Sequence, residues 1–173
     1  MKIIQATKED IPVMRNILDH GRQIQLAAGV DQWAEGYPAK ELMLEDIKKE
    51  AAYLCLDDAD EAVGVASVFT EPDPTYAEIK GEWLNDAPYA TIHRIASSGK
   101  LKSVGQYMIQ WVQKNHTNVR IDTHADNAGM KHVLEKLGFE YTGVIYIENG
   151  EARDAYHYVK PRDKEKLNEK ADS

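Results

Sequence analysis

Apolar residues along the chain change their spacing several times, and each change marks an element. Lys2–Ala6 is a short β-prone run. Thr7 then stands three residues before Asp10, as in a capping box, ahead of a helix with Ile11, Met14, Ile17 and Leu18 on one face. A polar break at Ala28-Gly29-Val30-Asp31 leads into the stretch DQWAEGYP. Pro38 there suits the first turn of a second helix, running to about Lys49. Two strand-like runs follow, Ala52–Leu56 and Ala62–Phe69, parted by the turn-like Asp57-Asp58-Ala59-Asp60-Glu61. The segment Glu71–Pro88, which contains Glu71-Pro72-Asp73-Pro74, reads as an irregular excursion with some strand in it. Ala90–Ala96 reads as a buried strand.

In the second half, Val104, Tyr107, Met108, Trp111 and Val112 form a helical stripe, and Val119–Thr123 is a short strand. Asn127–Leu137 is a helix with Met130, Val133, Leu134 and Leu137 inward, stopped by Gly138. Tyr141–Ile147 and Ala152–Val159 flank Asn149-Gly150, a hairpin signal. The order is strand, two helices, three strands, helix, strand, helix, hairpin. It implies an α/β fold, a mixed sheet with helices on its faces and ligands near strand ends.

Composition narrows the classes. The 173 residues suit a single domain over 1–160, with a charged, loose tail at 161–173. At 43% hydrophobic and 29% charged the chain reads as globular, and no apolar run approaches the roughly eighteen residues of a membrane span. Charge comes too early at the N-terminus for a secretory signal. The single Cys55, in an apolar run, fits a reducing cytoplasm and a packed thiol. A net charge of −8 argues against nonspecific nucleic-acid binding and is compatible with a cationic small molecule. The single cysteine and scattered histidines give no metal-ligand spacing.

The segment SSGKLKSVGQ, between the apolar strand and the helical stripe, carries the chemistry. Ser103 and Gln106 are spaced as a capping box, which leaves the amides of Val104, Gly105 and Gln106 at the positive end of a helix. Such an end holds anions, Gly105 lets a phosphate approach the backbone, and Lys100 and Lys102 add charge. On residue types alone, this anion cradle and an ordinary capped helix with solvated lysines stand equal. The segment is neither a P-loop nor a dinucleotide glycine fingerprint.

With its element order, KLKSVG at Lys100–Gly105, Asn127 and the KLGF of Lys136–Phe139, the chain resembles the GNAT superfamily of N-acetyltransferases from Lys2 to Val159. The resemblance implies a mixed, twisted sheet of about six to seven strands, splayed at its two central strands. It implies that amides in Lys100–Gln106 hold the pyrophosphate of acetyl-CoA, with Ser103 standing where the family has glycine. Ile95 and Ser97 would hydrogen-bond the pantetheine arm, and Asn127 would contact it or cap its helix. DQWAEGYP resembles an acceptor-side loop of a bacterial branch, in which Trp33 and Tyr37 either wall a substrate pocket or pin the loop as core aromatics.

Amine acetylation needs a base, for which His93 is the best candidate. Glu82 and Glu78 are rivals that could also hold a cationic acceptor, and His124 and His157 are more remote. The tyrosine that many members use to protonate the leaving thiolate is Leu134 here. The expected activity is transfer of acetyl from acetyl-CoA to a primary amine of a small molecule or peptide. A protein N-terminal or lysine acetyltransferase and a noncatalytic acyl-CoA-binding module are the alternatives. The final hairpin offers a surface for a homodimer, as happens in that superfamily.

Overall fold

A computed structural model describes residues 1–162 and Asn168; most of the charged tail lies outside the described residues. The elements are β1 (Lys2–Gln5), α1 (Ile11–Ala27), α2 (Lys40–Lys48), β2 (Ala52–Leu56), β3 (Ala62–Phe69), β4 (Lys80–Gly81), β5 (Ala90–Ser97), α3 (Val104–Asn115), β6 (Asn118–Thr123), α4 (Ala128–Lys136), β7 (Glu140–Tyr146) and β8 (Ala152–Val159). The strands form one mixed sheet in the order β1-β2-β3-β5-β6-β8-β7-β4. It has eight strands rather than six or seven because the excursion contributes the two-residue β4. No helix among the described residues is long and apolar enough to cross a membrane.

The chain forms two compact units, each discontinuous in sequence. The first comprises Met1–Phe69 and Ile92–Trp111. Its β1, β2 and β3 are antiparallel neighbours, with Ile3 opposite Cys55 and Leu54 opposite Val65. Met14, Ile17 and Leu18 of α1 pack with Leu54, Val65 and Ala96 in a core that also takes in Trp33 and Met43. Thr7 N–H donates to Asp10 Oδ2 at 2.8 Å, fixing the turn of 3₁₀ helix that leads into α1. Pro38 is not in the first turn of α2. The Tyr37–Pro38 peptide is cis and α2 starts at Lys40, because Arg15 holds the Gly36 and Pro38 carbonyls and keeps this stretch as loop.

The second unit comprises Thr70–Thr91 and the chain from Val112 on. There β5 begins in parallel with β6, Ala90 opposite Val119 and Thr91 opposite Arg120. β6, β8 and β7 are successive antiparallel neighbours, and Gly150, at φ +86°, closes the hairpin. The excursion is irregular but tightly held. Arg120 lies between the rings of Trp83 and Tyr89, at 4.3 and 4.1 Å, and donates to Asn85 O. Tyr76 is buried and donates to Asp122 Oδ1 at 2.6 Å. Burial first, then the Asp122 charge, raises its pKa well above the phenol value, so it remains a donor.

Candidate active site

The middle of β5 departs from an ordinary strand at Arg94, whose φ of +52° is left-handed. That backbone costs a residue with a Cβ about 1–3 kcal/mol and persists only where its surroundings over-determine it. Here the guanidinium forks onto Asp46, Nε to Oδ2 and Nη2 to Oδ1, both at 2.8 Å. Nη1 reaches the Tyr37 hydroxyl at 3.3 Å, and Ser67 Oγ donates to Asp46 Oδ2 at 2.7 Å. The Asp46 side chain is 4% exposed and that of Arg94 12%. Burial opposes the Arg94 charge, but the hydrogen bonds and attraction of Asp46 and Tyr37 outweigh it and raise the pKa. Beside this network, Met14, Leu18, Met43 and Val65 line the apolar side of a small cavity, with room for about one water molecule.

His93 precedes this kink, half-buried, its ring 5.9 Å from that of Phe69. Ile95 and Ser97 follow on β5, both half-buried. Trp33 is 8% exposed and belongs to the core, and Tyr37 packs against that core with its ring 6.0 Å from Trp33. Both aromatics therefore anchor their loop, and Tyr37 alone of the two also reaches a charged group of β5.

At the start of α3, Ser103 O accepts from Tyr107 N–H, so Val104, Gly105 and Gln106 precede the helical ladder. Ser103 has φ +63° rather than the extended backbone of a serine N-cap. The position that glycine fills in the family thus has the glycine conformation with a serine in it. A Cβ built at Gly105 meets nothing within 4 Å, so the backbone there is open to approach. Lys100 and Lys102 are exposed, and Val104 is buried.

In the second unit, Asn127 Oδ1 accepts from Met130 N–H at 3.2 Å and caps α4. Glu78 and Glu82 are exposed, and Glu82 N–H donates to Thr142 O within that unit. His157 is a correction as a base candidate. It is fully buried, its Nδ1 accepts from Leu84 N–H and its Nε2 pairs with Asn118 Oδ1. Burial first, then the Arg120 charge, lowers its pKa to about 3, which leaves it neutral and poorly basic. Leu134, at the expected acid position, is wholly buried in the core.

The sequence reading missed Arg94, Asp46 and Ser67. A signal for the pair was present, because Leu42, Met43, Asp46 and Ile47 share one helical face, which sets a carboxylate among apolar neighbours. Arginine within the apolar run ATIHRIA is its counterpart.

No family model matches the sequence, and no curated protein matches it. Solved structures do match. An acetyltransferase of the GNAT family from Streptococcus agalactiae superposes with a TM-score of 0.84 and 30% identity, over 92% of this chain and 95% of that one. A GNAT-family acetyltransferase from Listeria monocytogenes aligns at a TM-score of 0.69 and 16% identity, over 91% and 94%. A phosphinothricin acetyltransferase of the superfamily from Sinorhizobium meliloti, in complex with AcCoA, gives 0.63 and 14%, over 91% and 87%. The last two bear on the fold alone. With near-complete coverage of the streptococcal protein at that identity, the chain belongs to the GNAT family of acetyltransferases.

Proposed function

We propose that this single catalytic domain moves an acetyl group from acetyl-CoA to a primary amine of a small molecule or peptide. The observation that carries the reading is the start of α3. A left-handed residue delivers three amides into the first helical turn, and the space beside Gly105 is open. Amides and the helix dipole there suit a pyrophosphate, with Lys100 and Lys102 adding charge. The AcCoA held by the S. meliloti enzyme supports the choice of donor.

In this reading acetyl-CoA supplies an activated thioester whose carbon–sulfur bond breaks as the carbon–nitrogen bond forms. His93 takes the proton that the amine must lose, with Glu82 as the rival base. Ile95 and Ser97 hold the pantetheine arm through their backbone. Tyr37, whose hydroxyl reaches Arg94 of β5, bounds the acceptor side. With leucine at position 134, the thiolate leaves without a side-chain acid and takes its proton from solvent. That leucine also favours the second reading, a module that binds acyl-CoA without turnover.

Gly105→Glu tests the cradle. The open space lets the variant fold, while the carboxylate opposes the pyrophosphate. Thermal melts with and without millimolar acetyl-CoA are the measurement. The wild type is expected to be stabilised, and the variant to melt at the same temperature alone but show no shift. Retained affinity in the variant, or no shift in the wild type, overturns the reading. Thiol release with a panel of amines then separates enzyme from binding module.

A further inference from the structure

Successive residues of a strand point to opposite faces. His93 and Arg94 do not: both lie against the Phe69 ring, at 5.9 and 5.5 Å. The left-handed backbone of Arg94 breaks the alternation, as a bulge does, and re-aims the side chains and peptide groups around it. Asp60, also left-handed, sits in a turn and Glu50 just past a helix end, whereas Arg94 lies inside a strand. What surrounds Arg94 is a clamp from three segments: Asp46 of α2, Tyr37 of the preceding loop, and Ser67 of β3 acting through Asp46.

We propose that Asp46 and Arg94 are a positioning pair for acetyl transfer. Their ion pair holds the kink in β5, which keeps His93 on the face it shares with Arg94 and sets the direction of the Ile95 N–H. The inference rests on the proposed function, which assigns the base to His93 and the coenzyme arm to the backbone of Ile95. Neither Asp46 nor Arg94 touches a reacting atom in this account. Their action passes through the backbone between His93 and Ile95.

Glycine distinguishes a backbone role from a packing role, since it adopts φ +52° without penalty and alanine does not. Asp46→Asn/Arg94→Gly and Asp46→Asn/Arg94→Ala both remove the ion pair without stranding a buried carboxylate. Acetyl-CoA affinity by calorimetry, and kcat and KM with an amine found by thiol release, are compared at equal folded fraction. The glycine double variant is expected within about threefold of the wild type in affinity and kcat, and the alanine one about tenfold or more worse. Rescue by the smaller residue is the result that packing alone does not give. Equal behaviour of the two overturns the pair's role while wild-type binding stands. A wild type that binds no acetyl-CoA overturns the proposed function as well. Should the doubles fail to fold, Asp46→Asn alone replaces them. It is expected to lower kcat about fivefold with little change in KM for acetyl-CoA, and an unchanged kcat overturns the pair.

Discussion

Ser103 shows how one residue can look wrong in a sequence and be explicable in a structure. At φ +63° it takes the backbone that glycine takes without strain, and it does so immediately before the amides assigned to the pyrophosphate. If the backbone is what matters, Ser103→Gly removes strain in the folded state and adds freedom to the unfolded chain, two effects of opposite sign and each about 1 kcal/mol. The variant should therefore unfold within about 1 kcal/mol of the wild type. Its affinity for acetyl-CoA should be undiminished. Urea titration and calorimetry check both. A loss of affinity of about fivefold or more would mean that the serine hydroxyl is itself a ligand group, worth about 1 kcal/mol.

Two glycines sit where a helix packs tightly against a strand. A Cβ on Gly64 of β3 would stand 2.6 Å from Val104 Cγ1 and 3.0 Å from Met108 Sδ, and one on Gly21 of α1 would stand 2.8 Å from Ala96 Cβ. Gly64→Ala should thus push β3 and the first turns of α3 apart and cost about 1–3 kcal/mol in urea unfolding, as overpacking does. An unchanged midpoint would show that Val104 can yield. These close contacts were invisible in the sequence, although the elements making them were not. The bounds of β2 and β3 follow from apolar runs closed by turn residues, and β8 from the Asn149-Gly150 turn ahead of it, because those signals are local. The α3 stripe was legible too, except for fully buried Ile109. Pro38 misled, since a proline at a helix start and one in a loop held by Arg15 read alike. The α3 half of the candidate site was proposed from glycine, serine and lysine types at a strand–helix junction. Its β5 half was not, because the Arg94–Asp46 bond spans 48 residues and a left-handed φ leaves no mark on an arginine.

For the molecule as a whole, acid response depends on how many protons the folded and unfolded chains bind, and His157 makes a specific contribution. Folded, it stays neutral down to about pH 3, with Leu84 N–H on Nδ1 and Asn118 Oδ1 on Nε2. Unfolded, it takes a proton near its ordinary pKa of 6.5. Above that value neither state is charged there, and the neutral ring contributes its full stability. Below it the unfolded state alone gains the proton, so this contribution falls by about 1.4 kcal/mol per pH unit and is lost as pH approaches the folded pKa. The excess of carboxylates works the other way at first, since a net charge of −8 shrinks on acidification and self-repulsion is relieved. A substitution separates the two. His157→Asn keeps an acceptor for Leu84 N–H, and Asn118 Oδ1 still accepts from Asn85. At pH 7 the variant should be less stable than the wild type by about 1–3 kcal/mol, for the lost ring packing and hydrogen bond. That deficit should shrink by about 1.4 kcal/mol for each pH unit below 6.5, while the carboxylate effect cancels between the proteins. Urea unfolding of both at pH 7, 6 and 5 measures it, and two parallel curves would mean that the folded protein accommodates a charged His157.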